Sequence, residues 1–195
     1  MCACSIGDSI GTILCITGRT GAGKSTVARA IAEEFSIPFY GFGNCERQKW
    51  MDLFGYKSPA EYWTKLGLEV GHFGLYQEHI EQVRARISEN GIAVESIYSE
   101  SMLNLLGANF SGYGRILVSV VADERLRFER FKARESAIPE DPEYEFETME
   151  RFKVRIGVLK VMEKPDFVIA NMGSMETLID VIRTLKRDIN FGGSA

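Results

Sequence analysis

The sequence predicts an α/β fold in which helices cover both faces of a parallel sheet. Three observations predict it. Short apolar runs alternate with longer helical patterns along the 195 residues. The first run is apolar almost throughout, as a strand buried on both faces requires. It leads directly into a glycine-rich turn that opens a helix, the βαβ order of a parallel sheet.

Taken in order, residues 10–17, IGTILCIT, form the first strand pattern. After the glycine turn, STVARAIAEEF sets Val27, Ala28, Ile31 and Phe35 at helical spacing. Further strand-like runs are IPFYGF (37–42), IAVES (92–96), ILVSVVA (116–122) and DFVIAN (166–171). Helical patterns lie at about 45–54, 68–89, 124–135, 145–163 and 175–188. One segment breaks the alternation. ARESAIPEDPEYE (133–145) puts two prolines and five acidic residues between two basic helices. It reads equally as a solvated surface loop or as a lid over a cleft.

Length favours one domain over 1–195 with room for a small insertion. A net charge of −4 argues against a nucleic-acid-binding surface. No apolar run reaches membrane-spanning length and the first residues lack a basic leader pattern, so a cytoplasmic enzyme is expected, with no membrane partner. Cys15 falls in the first strand, where it serves as a small apolar residue. Cys2 and Cys4 have no other Cys/His pair at ligand spacing.

The chemistry concentrates in the glycine turn. Gly18-x-x-x-x-Gly23-Lys24-Ser25 matches the phosphate-loop pattern G-x-x-x-x-G-K-S/T, with a strand before it and an amphipathic helix after it. Such a loop curls so that its N–H groups converge on phosphate oxygens, and the helix start adds its positive dipole end. Gly18, Thr20, Gly21, Ala22, Gly23, Lys24, Ser25 and Thr26 are therefore expected to hold ATP or GTP. Lys24 would reach the β- and γ-phosphates, and Ser25 would hold Mg2+. No N-K-x-D segment reads guanine as a GTPase would, no L-S-G-G-Q signature is present, and the chain is short for a motor or AAA-type ATPase, in which an apolar strand usually ends in Asp-Glu. A small kinase remains.

Arginines fit that reading, because phosphoryl transfer needs positioning and cationic clamping. Arg127, Arg130 and Arg134 fall at i, i+3 and i+7 on one helical face, and Arg151 and Arg155 at i and i+4 beyond the acidic loop. Arg130, Arg134 and Arg151 are the expected carriers of transition-state charge. Solvated Glu–Arg pairs, such as Glu147 with Arg151, are the competing reading.

The phosphate loop together with RFERFKARES and DFVIANMGSMETL resembles the adenylate-kinase-like nucleoside and nucleotide kinases, notably the branch of dephospho-CoA kinase and small archaeal proteins. The resemblance implies a three-layer α/β/α phosphate-loop NTPase fold with five parallel strands and a helical lid. It implies an acceptor-binding region at about 40–90 and a lid at about 126–156. By position, Arg130 and Arg134 match the lid arginines, one stacking on adenine and one touching phosphate. Asn171 matches the adenine-side loop, and Arg47 the arginine that grips the acceptor's phosphate.

Two departures bear on the acceptor. Relatives usually show Gly-Asp where this chain has Gly43-Asn44, and an amide cannot take a proton from a hydroxyl. A phosphate acceptor is already ionised and needs no base, so Asn44 tilts the expectation toward a small nucleotide. Relatives often read Asp-Gly-x-Arg where this chain has Glu95-Ser96-Ile97-Tyr98. Glu95 keeps the carboxylate and either orients Mg2+ through water or serves as base to a hydroxyl. The leading expectation is Mg-ATP-dependent phosphoryl transfer to a small nucleotide. A hydroxyl acceptor such as dephospho-CoA or a nucleoside is the alternative, and a nucleotide-binding regulator without transfer the third. His72 and His79 are expected to be solvent-facing or locally hydrogen-bonded, with a shared metal the lesser option. The aromatics of 40–82 divide between core and base stacking.

Overall fold

A computed structural model describes residues 10–43, 52, 77–134 and 141–189. Its centre is strand β1, Gly11–Thr17, whose side chains alternate between two apolar layers. Leu14 and Ile16 join a cluster with Val27, Ile31 and Phe35 of helix α1 (Lys24–Phe35). Ile13 and Cys15 join the opposite cluster with Ile92, Val94, Met102 and Leu106. Burial on both faces is why the run is apolar without alternation.

Strand β2 is Phe39–Gly41, β3 is Gly91–Glu95, β4 is Tyr113–Val121 and β5 is Phe167–Ala170. All pairings are parallel and the order is β2-β3-β1-β4-β5. The phosphate-loop strand is therefore central in a five-stranded sheet, and helices on both faces complete three layers, as expected. Register sets Ile16 beside Glu95 and Thr17 beside Ser119. The loop that follows β1 thus leaves the sheet at its carboxyl edge, where open α/β sheets bind ligands.

Helix α2 occupies residues 77–84, and α3, Glu100–Asn109, starts at a Ser99 cap that accepts from the Met102 N–H. Helix α4 is Glu124–Arg134, α5 is Pro142–Ile156, the short α6 is Val158–Val161 and α7 is Met175–Asp188. Pro142 sits in the first turn of α5, where a missing N–H costs nothing. Gly157, in the left-handed conformation, ends it. Phe128 and Phe131 of α4 meet Phe146 of α5 edge-on, which fastens the two helices together. The three phenylalanines lie within the span predicted as a lid.

Three differences from the sequence reading are local. Helix α3 was not anticipated. The 145–163 pattern divides at Gly157, and of the 68–89 pattern the helix spans 77–84 among the described residues. Of the two roles expected for His79, solvent-facing or hydrogen-bonded, the structure shows the second. His79 is buried, its Nδ1 lies 2.8 Å from the Tyr40 hydroxyl, and its ring stacks on Phe42 at 4.5 Å. His72, Cys2, Cys4 and Cys45 lie outside the described residues. Among the described residues, no helix is long and apolar enough to cross a membrane.

Candidate active site

The phosphate loop is shaped by backbone that only glycine adopts easily. Gly21 has φ +73° and Gly23 has φ +88°. A Cβ on Gly21 would strike the Arg127 carbonyl, and one on Gly23 would strike the Asn171 amide. Helix α1 has no side-chain cap, whereas α3, α5 and α7 are capped by Ser99, Asp141 and Ser174. The first N–H groups of α1 are thus left for an anion, and the helix dipole favours one.

A cavity of about 420 Å³ opens over this helix start. Gly21, Gly23, Lys24, Ser25 and Thr26 form its floor. Glu95, Ser96 and Tyr98 line it from the end of β3, Arg130 and Arg134 from α4, and Lys153 from α5. Asn171, Met175 and Leu178 line it from the β5–α7 segment. Gly18 turns the chain out of β1 with φ +145°, and Thr20 and Ala22 are fully enclosed by the loop.

The Ser25 hydroxyl donates to Glu95 Oε2 at 2.8 Å, and Glu95 is buried. Lys24 Nζ donates to the Arg19 carbonyl at 2.8 Å and lies 5.5 Å from the centre of the Tyr98 ring. Burial lowers the Lys24 pKa from 10.5 to about 8, with the Glu95 carboxylate opposing the shift. Arg130 Nη1 donates to the Asn171 carbonyl at 2.8 Å, and Asn171 Nδ2 donates to the Ala22 carbonyl at 2.9 Å. This pair ties α4 to the loop after β5 and both to the phosphate loop. Ser96 takes φ +70°, the conformation the glycine of the resembled family would accept without strain. Its Oγ accepts a hydrogen bond from the Tyr98 hydroxyl at 3.1 Å.

A second set of contacts runs beneath the loop. The Thr20 N–H donates to Glu150 Oε1 at 2.7 Å. Arg127 Nη1 donates to the Thr20 carbonyl at 3.0 Å and to Glu150 Oε2 at 2.7 Å, and Arg19 Nη2 meets the same oxygen at 2.6 Å. Burial alone would raise the Glu150 carboxyl. The hydrogen bonds from Thr20 and Arg127 outweigh it and hold the pKa below 4.5. Lys153 Nζ donates to Thr20 Oγ1 at 2.9 Å.

The cavity therefore collects Lys24, Ser25, Glu95, Arg130, Arg134 and Asn171, residues distant in sequence. Arg151 is a correction. It is exposed, pairs with Glu147 at 3.3 Å and is not among the residues that line the cavity. The α5 helix turns Lys153 inward instead, two residues on. Arg127 shares a helical face with Arg130 and Arg134 yet is buried against Glu150 rather than the cavity. Asn44 and Arg47 lie outside the described residues. Sequence reasoning did not find Glu150, Lys153 or the part Tyr98 plays. The one available signal was Lys153 lying three residues after Glu150, on one face of an amphipathic helix.

Magnesium fits the donor set. Ser25 and Glu95 offer hard oxygens at the helix start, and Mg2+ is commonly held by one or two such groups plus substrate phosphates. Among the described residues no group of three or more His, Cys, Asp or Glu could hold a metal by itself. When bound, the ion would neutralise phosphate charge.

Sheet order, uncapped loop helix and cation-lined cavity together define a three-layer α/β/α phosphate-loop fold. No protein-family model matches the chain. It is 26% identical over 183 residues to a UPF0200 protein of Thermococcus kodakarensis, covering 91% of this chain and 97% of the relative. A UPF0200 protein of Pyrococcus horikoshii is 28% identical over 165 residues, covering 82% and 87%. The designation names no activity. Among solved structures, shikimate kinase from Bacteroides thetaiotaomicron superposes with a TM-score of 0.62 at 14% identity, covering 92% of this chain and 98% of its own. Shikimate kinase from Acinetobacter baumannii in complex with shikimate gives 0.56 at 19% identity, covering 96% and 97%. These likenesses establish the fold.

Proposed function

We propose that the protein transfers the terminal phosphoryl group of Mg-ATP to a small nucleotide, in the manner of a nucleoside monophosphate kinase. The observation that carries this is the charge of the cavity. Lys24, Arg130, Arg134 and Lys153 line it, and among the described lining residues Glu95 is the one carboxylate. A ligand with several negative charges complements that wall.

The loop amides and Lys24 would bind the donor phosphates, while Ser25 and Glu95 would hold the metal. Arg130, held by the Asn171 carbonyl, would lie beside the base. Arg134 would add charge stabilisation as the phosphoryl group moves. Glu95 is engaged with Ser25, so no second carboxylate in the described lining is left to deprotonate an alcohol. A phosphate oxygen, already ionised, needs no such base. Arg47 would grip that acceptor phosphate, and Asn44 would contribute to acceptor binding.

One observation favours the hydroxyl alternative. The fold neighbours include a shikimate kinase in complex with shikimate, a compound bearing hydroxyl groups. On that reading Glu95 would take the hydroxyl proton. A panel of nucleoside monophosphates, nucleosides and dephospho-CoA separates the two. Purified protein with Mg-ATP should release ADP in proportion to an added monophosphate. Release confined to nucleosides or dephospho-CoA supports the hydroxyl reading, and no acceptor-dependent ADP on the whole panel contradicts both.

A further inference from the structure

Lys153 is a lysine for which the phosphate-loop motif has no place. It lies on α5, is 6% exposed, and donates to the Thr20 hydroxyl at the third position of the loop. Its ammonium is 5.1 Å from the centre of the Tyr98 ring, the same ring that Lys24 approaches. Two lysines from different helices therefore share one aromatic wall. Among the described residues, no carboxylate forms an ion pair with either.

A buried ammonium is costly unless an opposite charge meets it. Burial pushes Lys153 well below the ordinary lysine range, and Lys24 and Arg134 push the same way. Glu150 and Glu95 oppose this. Arg127 is already paired to Glu150. A neutral side chain could satisfy the Thr20 hydroxyl equally well, so packing alone does not account for a lysine here. An incoming polyanion does. The contacts of Lys153 also differ from those of Arg130. Lys153 meets Thr20 and Tyr98, next to Ser96 and Gly43, while Arg130 meets Asn171, next to Ala22 and Gly23.

We infer that Lys153 is a second phosphate-binding lysine, placed to contact the terminal phosphoryl group as it passes between nucleotide and acceptor. This rests on reading the cavity as a nucleoside triphosphate site. In the transfer, an acceptor oxygen forms a bond to the γ-phosphorus while the bond from phosphorus to the β,γ-bridging oxygen breaks. ADP leaves with that electron pair. Lys153 stays protonated throughout and supplies charge, not a proton.

The test compares Mg-ADP with the Mg complex of a β,γ-imido ATP analogue by calorimetry, at pH 8 in two buffers of different ionisation enthalpy. Wild type, Lys153→Met and Lys153→Arg are measured. Lys153→Met should leave ADP affinity within about threefold and weaken the analogue about tenfold or more, the scale of one charge-assisted hydrogen bond. It should also reduce the protons taken up with the analogue, and Lys153→Arg should restore most of the affinity. Equal loss for both nucleotides, or no loss for either, overturns the inference while leaving the nucleotide site intact. Failure of wild type to bind either nucleotide overturns the proposed function and this inference with it. If Lys153→Met is recovered unfolded, Lys153→Gln gives the same comparison.

Discussion

On the proposed function, Lys24 is the residue on which ligand affinity most directly turns, and its environment would make that affinity pH-dependent. In the free protein its pKa falls from 10.5 to about 8, because burial disfavours the ammonium. The unfolded chain therefore holds more protons than the folded one between about pH 8 and 10.5, and this group's contribution to stability rises with pH across that window. Bound phosphate reverses the preference by meeting the charge. Affinity for Mg-ATP should thus fall as pH rises above about 8, with protons taken up on binding, which calorimetry at pH 7 and pH 9 would read. Affinity that climbs with pH would contradict the assignment. Replacing Lys24 by Ala should lower turnover by about 10²–10³-fold, the usual cost of removing one preorganised charge-stabilising donor. The substitutions at 96 and 98 also resolve at this scale. Tyr98 stands where the resembled family carries arginine, and two lysines gather at its ring.

At the scale of elements, α5 is the helix that joins α4 to the phosphate loop. Glu150 accepts from the Thr20 N–H and pairs with Arg127 and Arg19, so one carboxylate binds α5, α4 and the phosphate loop together. Glu150→Ala should cost about 3 kcal/mol in urea unfolding, because buried Arg127 then keeps only the exposed Glu124 carboxylate, 3.5 Å away, as a charge partner. A loss below about 1 kcal/mol would show that the contact is dispensable. The Glu150 contribution is present above pH 4.5 and disappears as pH falls through its lower folded pKa. How far these elements can be read from sequence depends on how local their causes are. The phosphate loop is fully legible because its glycines, lysine and serine act within eight residues. Helix α7 is legible because a Ser174 cap begins it and Leu178, Ile182 and Leu185 form one buried stripe. Helix α3 is not. Asn104, Gly107 and Asn109 are weak helix formers, and its buried residues are Met102 and Leu106. Glu150 meeting Thr20 across 130 positions leaves no periodic trace at all. Arg151 and Lys153 differ by two residues, which on a helix is the difference between outward and inward. Composition favoured the arginine, and the phase of the helix favours the lysine.

For the whole molecule, parallel strands carry the chemistry to one edge of the sheet. The carboxyl ends of β1 and β3 set Ser25 against Glu95, and α4, α5 and the segment after β5 close over them. A site assembled from so many elements binds its ligand only when folded, so Mg-ATP should raise the melting temperature as mass action requires. The central claim is that the terminal phosphoryl group is handed to a second molecule. Phosphorus NMR of purified protein with Mg-ATP and a nucleoside monophosphate tests it most directly. The expected result is a new phosphoanhydride signal on the acceptor growing in step with ADP. Inorganic phosphate in step with ADP, at a rate the acceptor does not change, would contradict it.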